Sequence, residues 1–233
     1  MIKRIDRIIS EQTNYSRKEI KKMISSGVVY VDEIQIKNSD SKFDESSICI
    51  KINGEEISIR NHIYLLLNKP KGYISTTDTR IANNILSLVP EKYKTRLLFP
   101  SGRLDKDTTG LILITDDGEF VHNILSPKKH VKKVYEVLID IPITLEMIDC
   151  FKKGVTLNDG ICKPANLEII EEYKAKVTIS EGKYHQIKRM FGCYGAKVIE
   201  LNRICIGNLE LPNDLNIGDI REATREEIDL IKG

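Results

Sequence analysis

The stretch GRLDKDTTGLILI, residues 102–114, joins a polar loop directly to four consecutive aliphatic residues. That aliphatic run is too short for a helix and rich in branched side chains, which is typical of a strand buried on both faces. The segment after it, residues 115–120, predicts a turn followed by a helix. We therefore expect Asp105 to lie in a polar loop at the edge of a packed sheet, where a rigid strand can hold a reactive carboxylate in place.

The loop of residues 102–110 resembles the signature loop of the pseudouridine synthases that modify ribosomal RNA. The family's loop carries the same three fragments, Gly-Arg-Leu-Asp, Asp-Thr and Gly-Leu. Turn hydrogen bonds would explain any one residue of the loop taken alone. The resemblance implies that Asp105 is the catalytic nucleophile. It also implies that Arg103 grips the RNA backbone or fills the gap left by a flipped base.

Size and composition exclude several classes of protein. The chain has 233 residues, 41% of them hydrophobic, which is enough for one sizeable core or a core with a small satellite domain. No run approaches the roughly 18 apolar residues of a membrane span, and the charged N-terminal segment is unlike a signal peptide, so we expect a cytoplasmic protein. Five cysteines without a C-x-x-C pair and four histidines without an H-E-x-x-H motif predict neither disulfides nor a metal site.

Charge is segregated along the chain although its net value is only +2. Residues 1–31 carry seven basic and three acidic side chains, residues 68–106 carry eight and three, and residues 208–233 carry three and seven. Segregated positive charge suits a protein that holds a phosphate backbone. Ordinary solvated faces in a Lys-rich chain would give the same counts.

The N-terminal segment predicts two short helices followed by small strands. Ser16 and Glu19 form a capping box that starts a helix, and Gly27 ends it. The segment resembles the S4 RNA-binding module through residues 16–22 and 27–32. This resemblance implies that the basic face of the helix contacts phosphates, whereas helix polarity alone would indicate a solvated face. The basic residues on that face are Arg17, Lys18, Lys21 and Lys22.

We predict an α+β architecture with a small S4-type RNA-binding domain over residues 1–60 and a pseudouridine synthase domain over residues 61–233. The resemblance, not periodicity, implies that the larger domain holds a mostly antiparallel mixed sheet with flanking helices. Its entry, residues 67–72, resembles the entry to the family's catalytic domain, and residues 68–72 form a basic turn. We interpret Lys69 and Lys71 as phosphate contacts, with a solvated turn as the alternative.

Alternation in residues 134–139 places Tyr135, Val137 and Ile139 on one face of a strand, which by itself is typical of a core. The family places a Tyr of a Lys-x-Tyr motif against the target base, and residues 133–135 match that motif. The resemblance further implies that Leu201 walls the other side of the pocket and keeps water from a cleaved intermediate.

Residues 182–191, GKYHQIKRMF, form a second sharp motif. Ile187, Met190 and Phe191 share one helical face, as in any amphipathic helix. The motif resembles the third motif of the family in the form typical of the small-subunit rRNA synthases. Lys188 is then the cation that favours the ionised form of Asp105. The polar residues assigned by the resemblance to substrate binding are His185, Gln186 and Arg189.

The resemblance implies a small-subunit rRNA pseudouridine synthase that converts one uridine of 16S rRNA, by family analogy uridine 516. Its partner would be 16S rRNA or a small-subunit assembly intermediate, bound by a monomer without a cofactor. Whether Asp105 attacks the sugar C1′, attacks the ring C6 or removes a sugar proton stays open. The alternatives are a 23S rRNA target and a non-catalytic ribosome-assembly factor. A glycosidase built on Asp105 and Asp107 is disfavoured because the chain has no Trp for sugar stacking.

Overall fold

The computed structural model describes residues 2–13, 15–45, 47–57, 59, 62–126, 129 and 131–232. The chain forms two compact units. The first comprises residues 1–63 with 89–97, and the second comprises residues 64–88 with 98–233. The sequence-based division at residue 60 did not anticipate that residues 89–97 belong with the N-terminal unit, because this short segment has no distinctive composition.

The first unit packs two helices against small sheets around an isoleucine-rich core. Its buried side chains include Ile5, Ile20 and Ile50, each fully buried. The strands form a four-stranded sheet in the order β3-β2-β5-β6 and a separate pair, β1 with β4. The elements are β1 (Ile2–Arg4), α1 (Ile5–Gln12), α2 (Arg17–Ser25), β2 (Val29–Val31), β3 (Ile34–Gln35), β4 (Lys42–Asp44), β5 (Ile50–Ile52) and β6 (Glu55–Ile57).

The capping box that the sequence predicts for α2 is confirmed. The Ser16 hydroxyl accepts from the Glu19 backbone N–H at 3.3 Å, and the Glu19 carboxylate accepts from the Ser16 N–H at 2.8 Å. Gly27 follows the helix with φ of +79°. Ile20 and Ile24 are buried beneath the helix, and the four basic residues of the predicted contact face are exposed. That face consists of Arg17, Lys18, Lys21 and Lys22.

The second unit is built on a nine-stranded mixed sheet, as predicted for the larger domain. The sheet order is β13-β14-β10-β15-β9-β7-β17, with β16 beside β15 and β8 beside β9, and β11 pairs with β12 separately. Its strands are β7 (Tyr64–Lys69), β8 (Phe99–Pro100), β9 (Thr109–Thr115), β10 (Lys133–Ile139), β11 (Thr156–Leu157), β12 (Gly160–Ile161), β13 (Asn166–Glu171), β14 (Lys174–Ile179), β15 (Val198–Ile206), β16 (Leu209–Glu210) and β17 (Ile220–Glu222). Its helices are α3 (Gly118–Leu125), α4 (Leu145–Lys153), α5 (Gln186–Gly192) and α6 (Arg225–Lys232).

The helices of the second unit begin where side-chain caps are available. The Asp117 carboxylate accepts from the Phe120 N–H at the start of α3, and the Thr144 hydroxyl accepts from the Met147 N–H at the start of α4. Helix α5 differs from these two helices because its N-cap residue, His185, makes no side-chain capping hydrogen bond. No described helix has the length and apolar character needed to cross a membrane.

Strand β9 lies inside the sheet between β7 and β15 and is buried on both faces, as predicted. Residues 111–114 are all fully buried. The pairing of β9 with β7 is antiparallel, and the pairing with β15 is parallel, with Gly110 opposite Arg203. A Cβ atom on Gly110 would lie 2.2 Å from the Arg203 carbonyl oxygen. The two strands can therefore approach this closely only because residue 110 has no side chain.

We expect Gly110→Ala to destabilise the protein by about 3 kcal/mol or more, because the new methyl group meets backbone atoms and the φ of +102° disfavours an L side chain. Urea unfolding measures the change. Gly192→Ala is the matched control, since Gly192 has an ordinary φ and no atom within 4 Å of the position that the added methyl group would take. Equal stability of the two variants would contradict the packing argument.

Candidate active site

The predicted catalytic loop, residues 102–110, lines a cleft in the second unit. The cleft has a small lobe of about 90 Å³ and a large lobe of about 690 Å³. Asp105 and Tyr135 line both lobes, as does Arg103, which is exposed. Leu201 and Lys188 line the small lobe only. His185 and Gln186 also line the small lobe, so the structure brings together seven of the residues that the sequence assigned to the site.

Asp105 faces two basic side chains from the start of α5. Its carboxylate oxygens lie 3.3 Å from His185 Nε2 and 3.5 Å from Lys188 Nζ. The carboxylate is 27% exposed, so it is reachable from the cleft but flanked by protein. A nearby cation favours the ionised form of a carboxylate, which is the form a nucleophile requires.

Lys188 is shared between two carboxylates. Its ammonium donates to both oxygens of Asp107, at 2.6 and 2.8 Å, and these distances are shorter than the distance to Asp105. The hydrogen bond from Lys188 holds the pKa of Asp107 below its ordinary value. Asp107 therefore stays ionised and fixes the ammonium beside Asp105. The general acid of a glycosidase needs a raised pKa, so Asp107 does not fit that role.

Hydrogen bonds from the segment after β7 hold the backbone of the predicted catalytic loop in place. The Ser75 hydroxyl donates to the Leu104 carbonyl at 3.0 Å and accepts from the Leu104 N–H at 3.1 Å. The Gly72 N–H donates to the Lys106 carbonyl at 2.7 Å. Leu104 is buried, so the residue just before Asp105 is anchored on both its backbone groups.

Lys69 is fully buried beneath this loop, and the prediction of a phosphate contact is wrong for it in this structure. Its ammonium donates to the carbonyls of Thr108 at 2.8 Å, Pro70 at 3.2 Å and Lys106 at 3.4 Å. The physical reason is its place at the end of β7, where the side chain turns inward under the loop. Lys71 is exposed, in keeping with a surface role.

Tyr135 and Leu201 form apolar walls of the cleft. Tyr135 is 8% exposed and Leu201 is 7% exposed. They lie on neighbouring antiparallel strands, where Tyr135 pairs with Arg203 and Val137 pairs with Leu201. Tyr135, Val137 and Ile139 are all buried, so the predicted inward face of β10 is confirmed. The pairing of β10 with β15 sets the positions of both walls.

Some residues of the motif 182–191 line the cleft, and others hold the surrounding turn in place. His185 has a left-handed backbone conformation, and its ring stacks on the exposed Tyr184 ring at 3.8 Å between centroids. Gln186 is buried and bonds to the Lys183 N–H and the Glu181 carboxylate, so it shapes the turn. Arg189 forms a two-point ion pair with Asp159 and donates to the Tyr184 carbonyl.

The sequence did not identify several polar groups in the cleft. Thr108 lines the small lobe with a buried hydroxyl that has no hydrogen-bond partner among the described residues. Lys133 and Arg203 line the large lobe and are buried. The Lys-x-Tyr motif includes Lys133 without giving it a role, and no motif singles out Arg203. Only the burial of their charges marks them as unusual. Within the described ranges, no group of three or more His, Cys, Asp or Glu side chains could hold a metal ion.

A carboxylate on an anchored loop, two adjacent basic groups and an aromatic wall define an enzyme site. The chain belongs to the RNA pseudouridylate synthase family, whose model matches residues 63–192. The matched segment contains the catalytic loop, Tyr135 and Lys188.

Relatives align with the chain over nearly its whole length. The RNA pseudouridine synthase YtzG of Bacillus subtilis is 38% identical over 98% of both chains. The ribosomal small subunit pseudouridine synthase A of Escherichia coli K12 is 38% identical over 97% of this chain and 98% of its own. A crystal structure of a pseudouridylate synthase superposes with a TM-score of 0.69, at 34% identity over 98% of this chain and 99% of that one.

We expect Lys69→Met to lower kcat by about tenfold to a hundredfold while changing RNA affinity little, because a loop displaced by roughly 1 Å loses catalytic geometry rather than substrate contacts. Steady-state and single-turnover kinetics separate the two effects. Lys71→Met, at the exposed neighbouring position, should weaken RNA binding and leave kcat near wild type. The reverse pattern would make Lys69 a substrate contact.

Lys69 also predicts a pH dependence of stability. Burial lowers its pKa from the ordinary value of 10.5 to about 8. Between these two values the unfolded chain binds more protons than the folded chain, so stability rises with pH, by up to about 1.4 kcal/mol per pH unit. Urea unfolding at pH 8 and pH 10 should show a larger gain for wild type than for Lys69→Met, which keeps the similar contribution of the buried Lys133. An identical gain in both proteins would assign it to other groups.

Proposed function

We propose that this enzyme isomerises one uridine of 16S rRNA to pseudouridine, with Asp105 as the nucleophile. The observation that carries the proposal is the position of Asp105, on an anchored loop between His185 and Lys188 and beside the Tyr135 wall. The choice of 16S rRNA is supported by relatives of Vibrio cholerae and Escherichia coli named ribosomal small subunit pseudouridine synthase A, each 38% identical to this chain.

Pseudouridine formation breaks the N1–C1′ bond of uridine, rotates the base and joins C5 to C1′. The reacting bond becomes accessible only when the nucleotide leaves its stack, at a cost of a few kcal/mol. Stacking of the freed base on Tyr135 returns about 1–3 kcal/mol. The opposite wall, Leu201, excludes water that would otherwise capture the separated base.

Asp105 supplies the negative charge that the reaction needs, and Lys188 stabilises it. Because Asp107 also binds the Lys188 ammonium, the lysine cannot swing away into solvent without breaking two short hydrogen bonds. We propose that Asp107 is a positioning residue for Lys188. Arg103 is exposed and lines the large lobe of the cleft, which supports its proposed role of contacting the RNA strand or filling the position vacated by the flipped base.

We propose that the N-terminal unit binds rRNA in the manner of an S4 module. Its exposed basic face on α2 supports this function, because four cations on one short helix attract a phosphate backbone whatever its base sequence. Sequence-independent attraction by this face would leave the choice of uridine to the catalytic cleft.

Pseudouridine mapping of 16S and 23S rRNA tests the function in cells that lack the protein. We expect one 16S site to lose its modification, wild type to restore it, and Asp105→Asn to fail. Asp149→Asn, an exposed carboxylate on α4, is the matched control and should restore the site. A lost site in 23S rRNA would refute the proposed substrate, and an unchanged map would refute the proposed activity.

A further inference from the structure

Two cations are buried in the large lobe of the cleft. Lys133 on β10 is 8% exposed and Arg203 on β15 is 4% exposed, and both line this lobe. Among the residues that the structure describes, neither forms an ion pair with a carboxylate. Burying a charge without a partner destabilises a fold, so such groups usually serve a ligand or a network.

The hydrogen bonds of these two side chains leave donors unused. Arg203 Nε donates to the Leu111 carbonyl at 2.7 Å, whereas its Nη2 is buried and has no partner in the described part of the chain. Lys133 Nζ donates to the carbonyls of Val131 at 2.9 Å and Ile124 at 3.4 Å, which uses two of its three N–H groups. A buried charged donor without an acceptor costs about 1–3 kcal/mol or more.

The electrostatics of the pair favour an anion. Burial and, to a smaller extent, the charge of Arg203 lower the pKa of Lys133 to about 8. Two like charges in a poorly solvated site repel each other, and a bound anion would relieve both the repulsion and the missing hydrogen bonds. The guanidinium fork matches two oxygens of a phosphate, and an ammonium adds a third donor.

The position of the pair relates it to the reacting uridine. Arg203 is the register partner of Tyr135, and Lys133 precedes Tyr135 by two residues on the same face of β10. Asp105 and Tyr135 line both lobes of the cleft. A nucleotide whose base enters the small lobe would thus extend its sugar and phosphate past Asp105 into the large lobe.

We infer that Arg203 and Lys133 form a phosphate seat, which binds one phosphodiester of the RNA strand next to the flipped uridine. The inference rests on the proposed function, because it takes the bound ligand to be RNA. Arg203 and Lys133 hold the flipped nucleotide by its backbone, so that Asp105 meets the sugar in a fixed orientation. In a purely structural role, by contrast, Arg203 would only anchor Leu111 and no anion would bind.

Inorganic phosphate tests the seat without reference to the RNA target. In nitrogen-15 NMR of the full-length protein, phosphate should shift the side-chain signals of Arg203 in wild type and in Lys132→Met, but much less in Lys133→Met. Lys132 is exposed and adjacent, which makes it the matched control. No shift of the Arg203 signals in wild type overturns the seat whatever RNA the enzyme modifies.

The second experiment locates the phosphodiester. RNA fragments carrying the target uridine are made with one neutral methylphosphonate at each linkage in turn, and their affinities for wild type, Lys133→Met and Lys132→Met are measured. We expect one linkage at which neutralisation weakens wild type and Lys132→Met about tenfold, the effect of one charge-assisted hydrogen bond. At that linkage Lys133→Met, already weaker on unmodified RNA, should lose almost nothing more.

The outcomes separate the seat from the proposed function. If the wild-type enzyme converts no uridine in rRNA, the proposed function is refuted. The phosphate titration then tests the phosphate seat by itself. The inference is overturned if neutralisation lowers the RNA affinity of wild type and Lys133→Met equally at every linkage. It is also overturned if inorganic phosphate binds but no linkage is sensitive. Lys133→Arg keeps the charge and should retain the sensitive linkage. Thermal unfolding shows whether Lys133→Met is folded. If it is not folded, the linkage scans of wild type and Lys133→Arg test the inference instead.

Discussion

The close parallel contact between β9 and β15 at Gly110 is the constraint on which the site depends. It brings the loop that carries Asp105 next to the strand that carries Leu201 and Arg203. Strand β15 also pairs with β10, so Tyr135 joins the same cleft. A side chain at residue 110 would push β9 away from β15, and Asp105 would separate from both walls.

Buried charge is the second organising feature of the catalytic unit. Lys69 is satisfied by three carbonyl oxygens and stabilises the loop from below, whereas Lys133 and Arg203 are only partly satisfied and face the large lobe. These cases show why burial of a lysine does not by itself indicate function. The number of acceptors around each ammonium or guanidinium distinguishes a structural cation from one that still has donors for a ligand.

The sequence predicted the local elements well where short-range chemistry decides them. The cap formed by Ser16 and Glu19, the buried strand of residues 111–114 and the inward face of β10 all depend on neighbours close in the chain. It failed for Lys69, which a basic turn motif placed at the surface. Its burial depends on acceptors 37 and 39 residues away, which no local pattern can indicate. The left-handed conformation of His185 before α5 was likewise not foreseen.

The sequence by itself determined the family, the candidate nucleophile Asp105 and several local helices and strands, because motif residues and periodicity are local properties of the chain. Only the tertiary structure decided that Asp107 holds Lys188, that Lys69 supports the loop and that Lys133 and Arg203 meet in one lobe. The physical reason is that hydrogen bonds and desolvation depend on distances in space between residues far apart in sequence. The pairing register of β9, β10 and β15 sets those distances.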